Sequence, residues 1–207
     1  MAIEVRFPDS AVVEEGDTIL PYARALNGRG DSVAATVYWF ALDTVIVQVL
    51  DSTTGATLGK RPGAQPGRLQ ARVGSLRSNP VSLTVRPQAD TVFAPGARRD
   101  TVTASASPDS LSDSLQVQVQ DLSSGTSPAN LANRPVAFQI TYPSGGAGFT
   151  LQPPGLVLSG TGGVAAVRVR LVSRALPDSV VVTATAVRAN GQSVPGSAIT
   201  FVVEFLP

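Results

Sequence analysis

The side chains that carry most acid–base, nucleophilic and metal chemistry are missing from this sequence, which has neither histidine nor cysteine. Disulfides, zinc sites, cysteine nucleophiles and histidine bases are therefore excluded. The serines of residues 105–114 have no base to activate them, because the single lysine, Lys60, is distant in sequence. Glu14 and Glu15 would point to opposite faces of a strand. We expect no catalytic site, no cofactor and no enzyme.

Arg29, Gly30 and Asp31 form an Arg-Gly-Asp tripeptide within the segment NGRGDS. An exposed Arg and Asp flanking a glycine is the arrangement that some integrins bind, with the carboxylate completing a metal site on the receptor. The alternative is purely structural, because a turn of this composition needs glycine where the backbone angle φ is positive. We prefer the structural interpretation and keep receptor binding as the alternative.

Two further charged groups could bind ions. Alternating arginines could form a basic stripe for an anionic partner or lipid head groups, although a solvated face or a protected sheet edge is the preferred explanation. They are Arg168, Arg170 and Arg174, with the pair Arg98-Arg99. The net charge of +1 predicts no nucleic-acid partner.

Five aspartates could hold Ca²⁺ at a domain joint, although turn capping is the simpler role. They are Asp90, Asp100, Asp109, Asp113 and Asp121.

Alternating apolar residues predict that strands position these groups. Residues 33–50, VAATVYWFALDTVIVQVL, contain the only tryptophan and predict a central strand, a corner at Asp43-Thr44 and a second strand. Leu69, Ala71 and Val73 face inward in the next clear strand. About seven strands are expected in the first 86 residues, at the spacing of an immunoglobulin-like sandwich.

The motif order of this first part resembles the bacterial immunoglobulin-like repeat of intimin- and invasin-type adhesins. The resemblance covers residues 3–86 and lies in EEGDT, ARALNGRG, the Val-Tyr-Trp strand, DTVIVQVLDSTTG and GRLQARVGSLRS followed by VSLTV. The loop GKRPGAQPG departs from the usual short connection. The resemblance implies an all-β fold and a non-enzymatic role in the cell envelope.

Five strongly alternating strands follow in the second part, starting near Leu115, Val136, Val167, Val180 and Ile199. The pattern DSLQVQVQD, RPVAFQI, GTGGVAAVRVRL and SVVVTATAV resembles the invasin-type variant over residues 90–207, with an insertion at 122–134. The fold class predicted is all-β, with two tandem immunoglobulin-like antiparallel β-sandwiches. The domains are expected at residues 1–87 and 88–207, with a linker within 86–100.

Exposed apolar positions suggest where a partner could bind. Residues 122–134 and 142–152 form long Gly/Pro/Ser-rich loops that either bind a partner, through Leu131 and Phe149, or fold back over the sandwich. In residues 33–50 the second face of the strands is apolar as well. That face is either covered within its domain or contacts a partner, and it comprises Tyr38, Phe40, Ile46 and Leu50.

The function expected is a structural, accessory or adhesion module that binds another protein and braces a multi-subunit envelope or membrane-associated assembly. The alternative is a carbohydrate-binding or host-receptor-binding module, which the low aromatic content disfavours. No membrane-spanning segment is expected, because residues 33–50 contain Asp43 and Gln48 and suit strands better than a helix. An extracytoplasmic location follows from the resemblance, and the N-terminus lacks signal-peptide features.

Overall fold

The structure, a computed structural model, describes residues 1–8, 10–103, 110–123, 127–173 and 178–206. Almost all regular elements in these ranges are β-strands, and the single helical element is a 3₁₀ turn at Ser144–Gly146. The chain divides into two compact units, Met1–Gln88 and Ala89–Pro207. Within the described ranges, no helix has the length and apolar character needed to cross a membrane.

The first unit contains eleven strands among its described residues. They are β1 (Ala2–Arg6), β2 (Val12–Glu14), β3 (Thr18–Ile19), β4 (Tyr22–Leu26), β5 (Ser32–Val33), β6 (Tyr38–Ala41), β7 (Val47–Val49), β8 (Thr57–Gly59), β9 (Gly67–Val73), β10 (Leu76–Arg77) and β11 (Val81–Arg86). Most pair antiparallel, and β2 with β11 is a parallel exception.

The sheet built around β9 matters most for function. Strand β9 pairs with β6 on one side, and on the other with β10 and β11, which in turn pairs with β2. The alternation predicted for β9 is confirmed, since Leu69 and Ala71 are buried whereas Arg68 is exposed. The core beneath the strands consists of Val13, Val47, Leu69, Leu83 and Val85.

The prediction for residues 33–50 was wrong in two respects. Residues 34–37 are not in a strand, so the strand that carries Trp39 is short. That strand, β6, pairs only with β9 among the described strands and therefore lies at a sheet edge rather than at its centre. The misleading stretch is Ala34-Ala35-Thr36, whose side chains are all exposed. Small side chains fit an apolar alternation but bury little area, so the pattern at these positions does not predict a buried strand.

The second unit contains ten strands among its described residues. They are β12 (Thr91–Phe93), β13 (Arg99–Thr103), β14 (Leu115–Asp121), β15 (Ala129–Asn130), β16 (Pro135–Tyr142), β17 (Phe149–Gln152), β18 (Leu156–Leu158), β19 (Val164–Leu171), β20 (Ser179–Ala186) and β21 (Ile199–Leu206). The segment expected to be a linker thus already contains β12 and the start of β13.

Two five-stranded sheets enclose the core of this unit. One has the order β12–β14–β19–β17, with β15 also paired to β14, and the other has the order β13–β21–β20–β16–β18. Alternate residues of the long strands, such as Val117, Val182 and Phe201, form one buried cluster. The predicted all-β class with antiparallel sandwiches is confirmed, and β13 with β21 is a parallel pair.

The two long loops of this unit are partly built into the sandwich. Leu131 is 6% exposed and Phe149 is 5% exposed, and both belong to the core cluster. Phe149 starts β17 and packs against the ring of Phe205, with 5.4 Å between the ring centroids. The partner-binding role predicted for Leu131 and Phe149 is therefore corrected. Their side chains cover the sandwich interior, because burying a large apolar group there removes it from water.

Candidate functional site

The Arg-Gly-Asp loop is exposed and is held by one neighbouring side chain. Asn27 Oδ1 accepts hydrogen bonds from the amides of Arg29 (2.8 Å) and Asp31 (3.0 Å), and its amide nitrogen donates to the Asp31 carboxylate. Gly30 has φ 89°, which favours glycine. The loop therefore has a complete structural explanation, in which the Asp31 carboxylate already has a partner.

Arg168 and Arg170 lie on the polar outer face of a sheet in the second unit. Arg168 pairs in register with Gln152, and Arg170 pairs with Thr150. No aromatic side chain is in register with either arginine on β17. Arg98 and Arg99 are exposed near the start of β13, and Arg174 lies outside the described residues. This arrangement is typical of a solvated sheet face.

The aspartates of the second unit are used locally. Asp90 accepts from the amide of Leu122 and lies 3.6 Å from Arg188, while Asp121 accepts from the amide and hydroxyl of Ser123. Asp100 accepts from the amide of Asp113. Among the described residues, which exclude Asp109, no three acidic side chains lie together as a metal site.

The described part of the serine-rich stretch is structural. Ser112 is buried, donates to the Asp113 carbonyl at 2.7 Å and accepts from the amide of Val169 at 2.8 Å. Residues 104–109 lie outside the described residues. Ser112 thus joins the chain to β19 and has the environment of a structural hydroxyl.

The largest exposed aromatic group lies on the outer face of the β6–β9 sheet. Tyr38 is 40% exposed and Phe40 is 39% exposed, and Leu42 follows at the next outward position. Between Tyr38 and Phe40, Trp39 points inward and is 3% exposed, so it cannot serve as a sugar-stacking platform. Of the other apolar residues predicted for this face, Leu50 is exposed, but Ile46 packs against the core and does not belong to it.

Strand pairing places arginines beside these aromatic side chains. In one row across three strands, Arg72 of β9 is in register with Tyr38 of β6 and with Arg77 of β10. In the next row, Phe40 is in register with Gln70. A groove of about 260 Å³ is lined by Phe40, Ala41, Leu42, Gln70, Arg72 and Arg77. We call Tyr38, Phe40, Leu42, Gln70, Arg72 and Arg77 the aromatic–arginine face.

The guanidinium group of Arg72 lies over the ring of Phe40, with Cζ 4.9 Å from the ring centroid. Its Nε atom is buried and has no hydrogen-bond partner among the described residues. Gln70 is held differently, since its side-chain amide donates to the Ser78 carbonyl at 2.8 Å. Cation–π stacking rather than an ion pair therefore orients Arg72.

Three other arginines of the first unit, Arg6, Arg24 and Arg68, are paired with carboxylates. Arg68 donates to both oxygens of Asp43, and this contact lowers the pKa of Asp43 below its ordinary value. Hydrogen bonds from Arg24 and then Arg6 lower the pKa of Glu4 in the same way. Neither Arg72 nor Arg77 has an ion pair with any described residue. The aromatic–arginine face therefore keeps unbalanced positive charge.

Sequence reasoning identified Tyr38 and Phe40 but missed Leu42, Gln70, Arg72 and Arg77 as parts of one surface. The alternation in β9 did mark Gln70 and Arg72 as outward-facing. The missing information was the register, because Tyr38 and Arg72 are 34 positions apart and only the fold places them side by side.

Known proteins resemble this chain in structure but not in sequence. No protein-family model and no curated protein sequence matches it. Domains 4 and 5 of the S-layer protein SbsC superpose with a TM-score of 0.36 and 12% identity, covering 100% of this chain and 98% of that one. The Yersinia pseudotuberculosis adhesin InvE superposes with a TM-score of 0.42 and 17% identity, covering 98% of this chain and 58% of that one.

The fibronectin(III)-like modules of Clostridium thermocellum CbhA give a TM-score of 0.47 and 14% identity, covering 98% of this chain and 94% of that one. At these identities and scores, the similarities assign no function to the chain.

Proposed function

We propose that this chain is a non-enzymatic module that binds another protein through the aromatic–arginine face of its first unit. The observation that carries the proposal is the row Tyr38–Arg72–Arg77, with Phe40 and Leu42 exposed beside it. Tyrosine, phenylalanine and arginine are enriched at protein interfaces and supply much of their binding energy. A cluster of these residues on one sheet face is the surface that a protein partner would use.

The fold supports this proposal by holding the face rigidly. Strand β9 lies between β6 on one side and β10 and β11 on the other, and its inward residues Leu69 and Ala71 are fully buried. Little side-chain ordering is then needed on binding, because Phe40 already stacks with Arg72. The resemblance to bacterial immunoglobulin-like repeats supports an extracytoplasmic location, where the chain would brace a multi-subunit envelope assembly or contribute to adhesion.

Co-purification from native cells tests the proposal. The double variant Tyr38→Ser, Phe40→Ser removes the aromatic pair, and Leu156→Ser, Leu158→Ser removes exposed apolar side chains from β18 of the second unit as a matched control. A stoichiometric partner should be retained by the wild type and by the control but lost by the first variant. A partner lost only with the β18 variant, or no partner at all, would contradict the proposal. Fluorescence of Trp39 verifies that the first unit is folded.

A further inference from the structure

We infer that the partner presents an acidic, extended segment whose carboxylate binds between Arg72 and Arg77. This inference rests on the proposed function, because it describes the partner of the same face. It goes further by naming the chemistry of that partner. Three features of the face support it: the uncompensated charge of the arginine pair, the orientation of Arg72 and the spacing of the outward side chains.

The uncompensated charge comes from two like charges placed opposite each other. Arg72 and Arg77 are in register on adjacent antiparallel strands. Like charges in this position destabilise a sheet. On the same strand, Arg68 is paired with Asp43, so the fold does supply a carboxylate to a neighbouring outward arginine. The arginine pair is therefore a place where an external carboxylate would relieve repulsion and gain charge-assisted hydrogen bonds.

The orientation of Arg72 suits it to this task. Stacking on Phe40 holds the guanidinium plane, and its buried Nε has no hydrogen-bond partner among the described residues. The terminal nitrogens have no ion pair there either. A planar guanidinium that is already oriented loses less conformational freedom when it binds a carboxylate. Arg77 is exposed and can provide a second cation to the same group.

The row spacing favours an extended peptide over a free anion. Outward residues two positions apart on a strand are separated by about 7 Å, which is the distance between the Tyr38–Arg72–Arg77 row and the Phe40–Gln70 row. An extended segment has the same repeat. Its acidic side chain can reach the arginine pair while an apolar side chain two positions away packs on Phe40 and Leu42. A small anion would leave these apolar side chains uncovered.

A displayed library of random short peptides, selected on the whole chain, tests the inference. Selected peptides should be enriched in Asp or Glu with a Leu or aromatic residue two positions away. Their affinity should fall by about tenfold to a hundredfold in Arg72→Gln and in Arg77→Gln. Arg98→Gln, an exposed arginine of the second unit, is the charge-matched control and should leave the affinity unchanged. Raising the salt concentration should also weaken binding.

The outcomes separate this inference from the proposed function. Neutral peptides that lose affinity in Tyr38→Ser, Phe40→Ser but not in Arg77→Gln would overturn the acidic partner and keep the binding face. If the peptides bound with unchanged affinity to the Tyr38→Ser, Phe40→Ser variant and to Arg77→Gln, or if no peptide were selected, both the acidic partner and the binding face would be overturned. Arg77→Gln is the decisive variant because Arg77 is exposed and makes no stacking contact with Phe40. Arg72→Lys keeps the charge but not the planar fork, and should weaken binding less than Arg72→Gln.

Discussion

Arg72 and Arg77 lie directly opposite each other on strands β9 and β10, and neither has a carboxylate partner among the described residues. Four residues earlier on β9, the outward arginine Arg68 is held by Asp43. The first unit therefore combines a neutralised arginine with a repelling pair on a single sheet face. Such a pair weakens the isolated domain.

Replacing Arg77 should stabilise the first unit. Arg77→Thr removes the repulsion with Arg72 and introduces a residue that suits an exposed strand, so the free energy of unfolding should rise by about 0.5 kcal/mol at low salt. Urea denaturation followed through Trp39 fluorescence measures the free energy of unfolding. Arg68→Thr, which breaks the ion pair with Asp43, should shift the midpoint in the opposite direction. A less stable Arg77→Thr protein would show that the pair is not repulsive.

Packing of the single tryptophan depends on Gly55. A Cβ at this position would lie 2.6 Å from Trp39 Nε1, and Gly55 also has φ 80°. Gly55→Ala should lower the free energy of unfolding by about 2–4 kcal/mol, from overpacking and backbone strain together. Gly16→Ala is the matched control, because Gly16 has φ 82° and, apart from its two chain neighbours, no residue has an atom within 4 Å of the added Cβ. If Gly55→Ala and Gly16→Ala lowered the free energy of unfolding equally, a clash with Trp39 would be ruled out.

Asp51 should titrate at unusually low pH. Its carboxylate accepts hydrogen bonds from the Thr53 hydroxyl and from the amides of Thr53 and Thr54, which lower its pKa from 3.8 to about 2. A lowered folded-state pKa stabilises the fold above pH 3.8, and this contribution is lost as the pH falls towards 2. Side-chain carboxyl NMR measures the pKa directly. A value near 3.8 would show that the turn does not hold the charged form.

The Arg-Gly-Asp loop should depend on Asn27. Asn27→Ala removes the acceptor of the Arg29 and Asp31 amide hydrogens, so exchange of both amides with solvent should accelerate by about tenfold. Hydrogen exchange followed by NMR measures this change.

Because the loop is explained by its own hydrogen bonds, Asp31→Ala should leave cell attachment unchanged. Loss of attachment in Asp31→Ala would instead establish the receptor-binding alternative.

The sequence predicted the second unit well because its long strands obey one rule. In β19 and β20, residues such as Val167, Val169, Val180 and Val182 alternate with outward side chains, and the burial follows the alternation. A strand with one buried face and one solvated face alternates apolar and polar residues, so the sequence shows which side chains point inward. Long strands repeat the signal often enough to identify it.

The errors have a common physical origin in interactions between distant residues. Leu131 and Phe149 lie in Gly/Pro/Ser-rich loops that predict exposure, yet the sandwich interior takes up both side chains. Strand β6 was expected at the centre of a sheet, but its neighbours are set by pairing with β9. The row Tyr38–Arg72 depends on the same pairing. Local composition carries none of this information.

Site-specific photocrosslinking tests whether the aromatic–arginine face binds a protein partner. A photoreactive benzoylphenylalanine placed at Tyr38 reports what contacts the aromatic–arginine face in native cells, and the same group at Tyr142, an exposed tyrosine of the second unit, is the control. We predict one discrete protein adduct from position 38 that is absent from position 142 and disappears in Arg77→Gln. No adduct at Tyr38, or the same adducts at both positions, would contradict the claim that this face binds a protein partner.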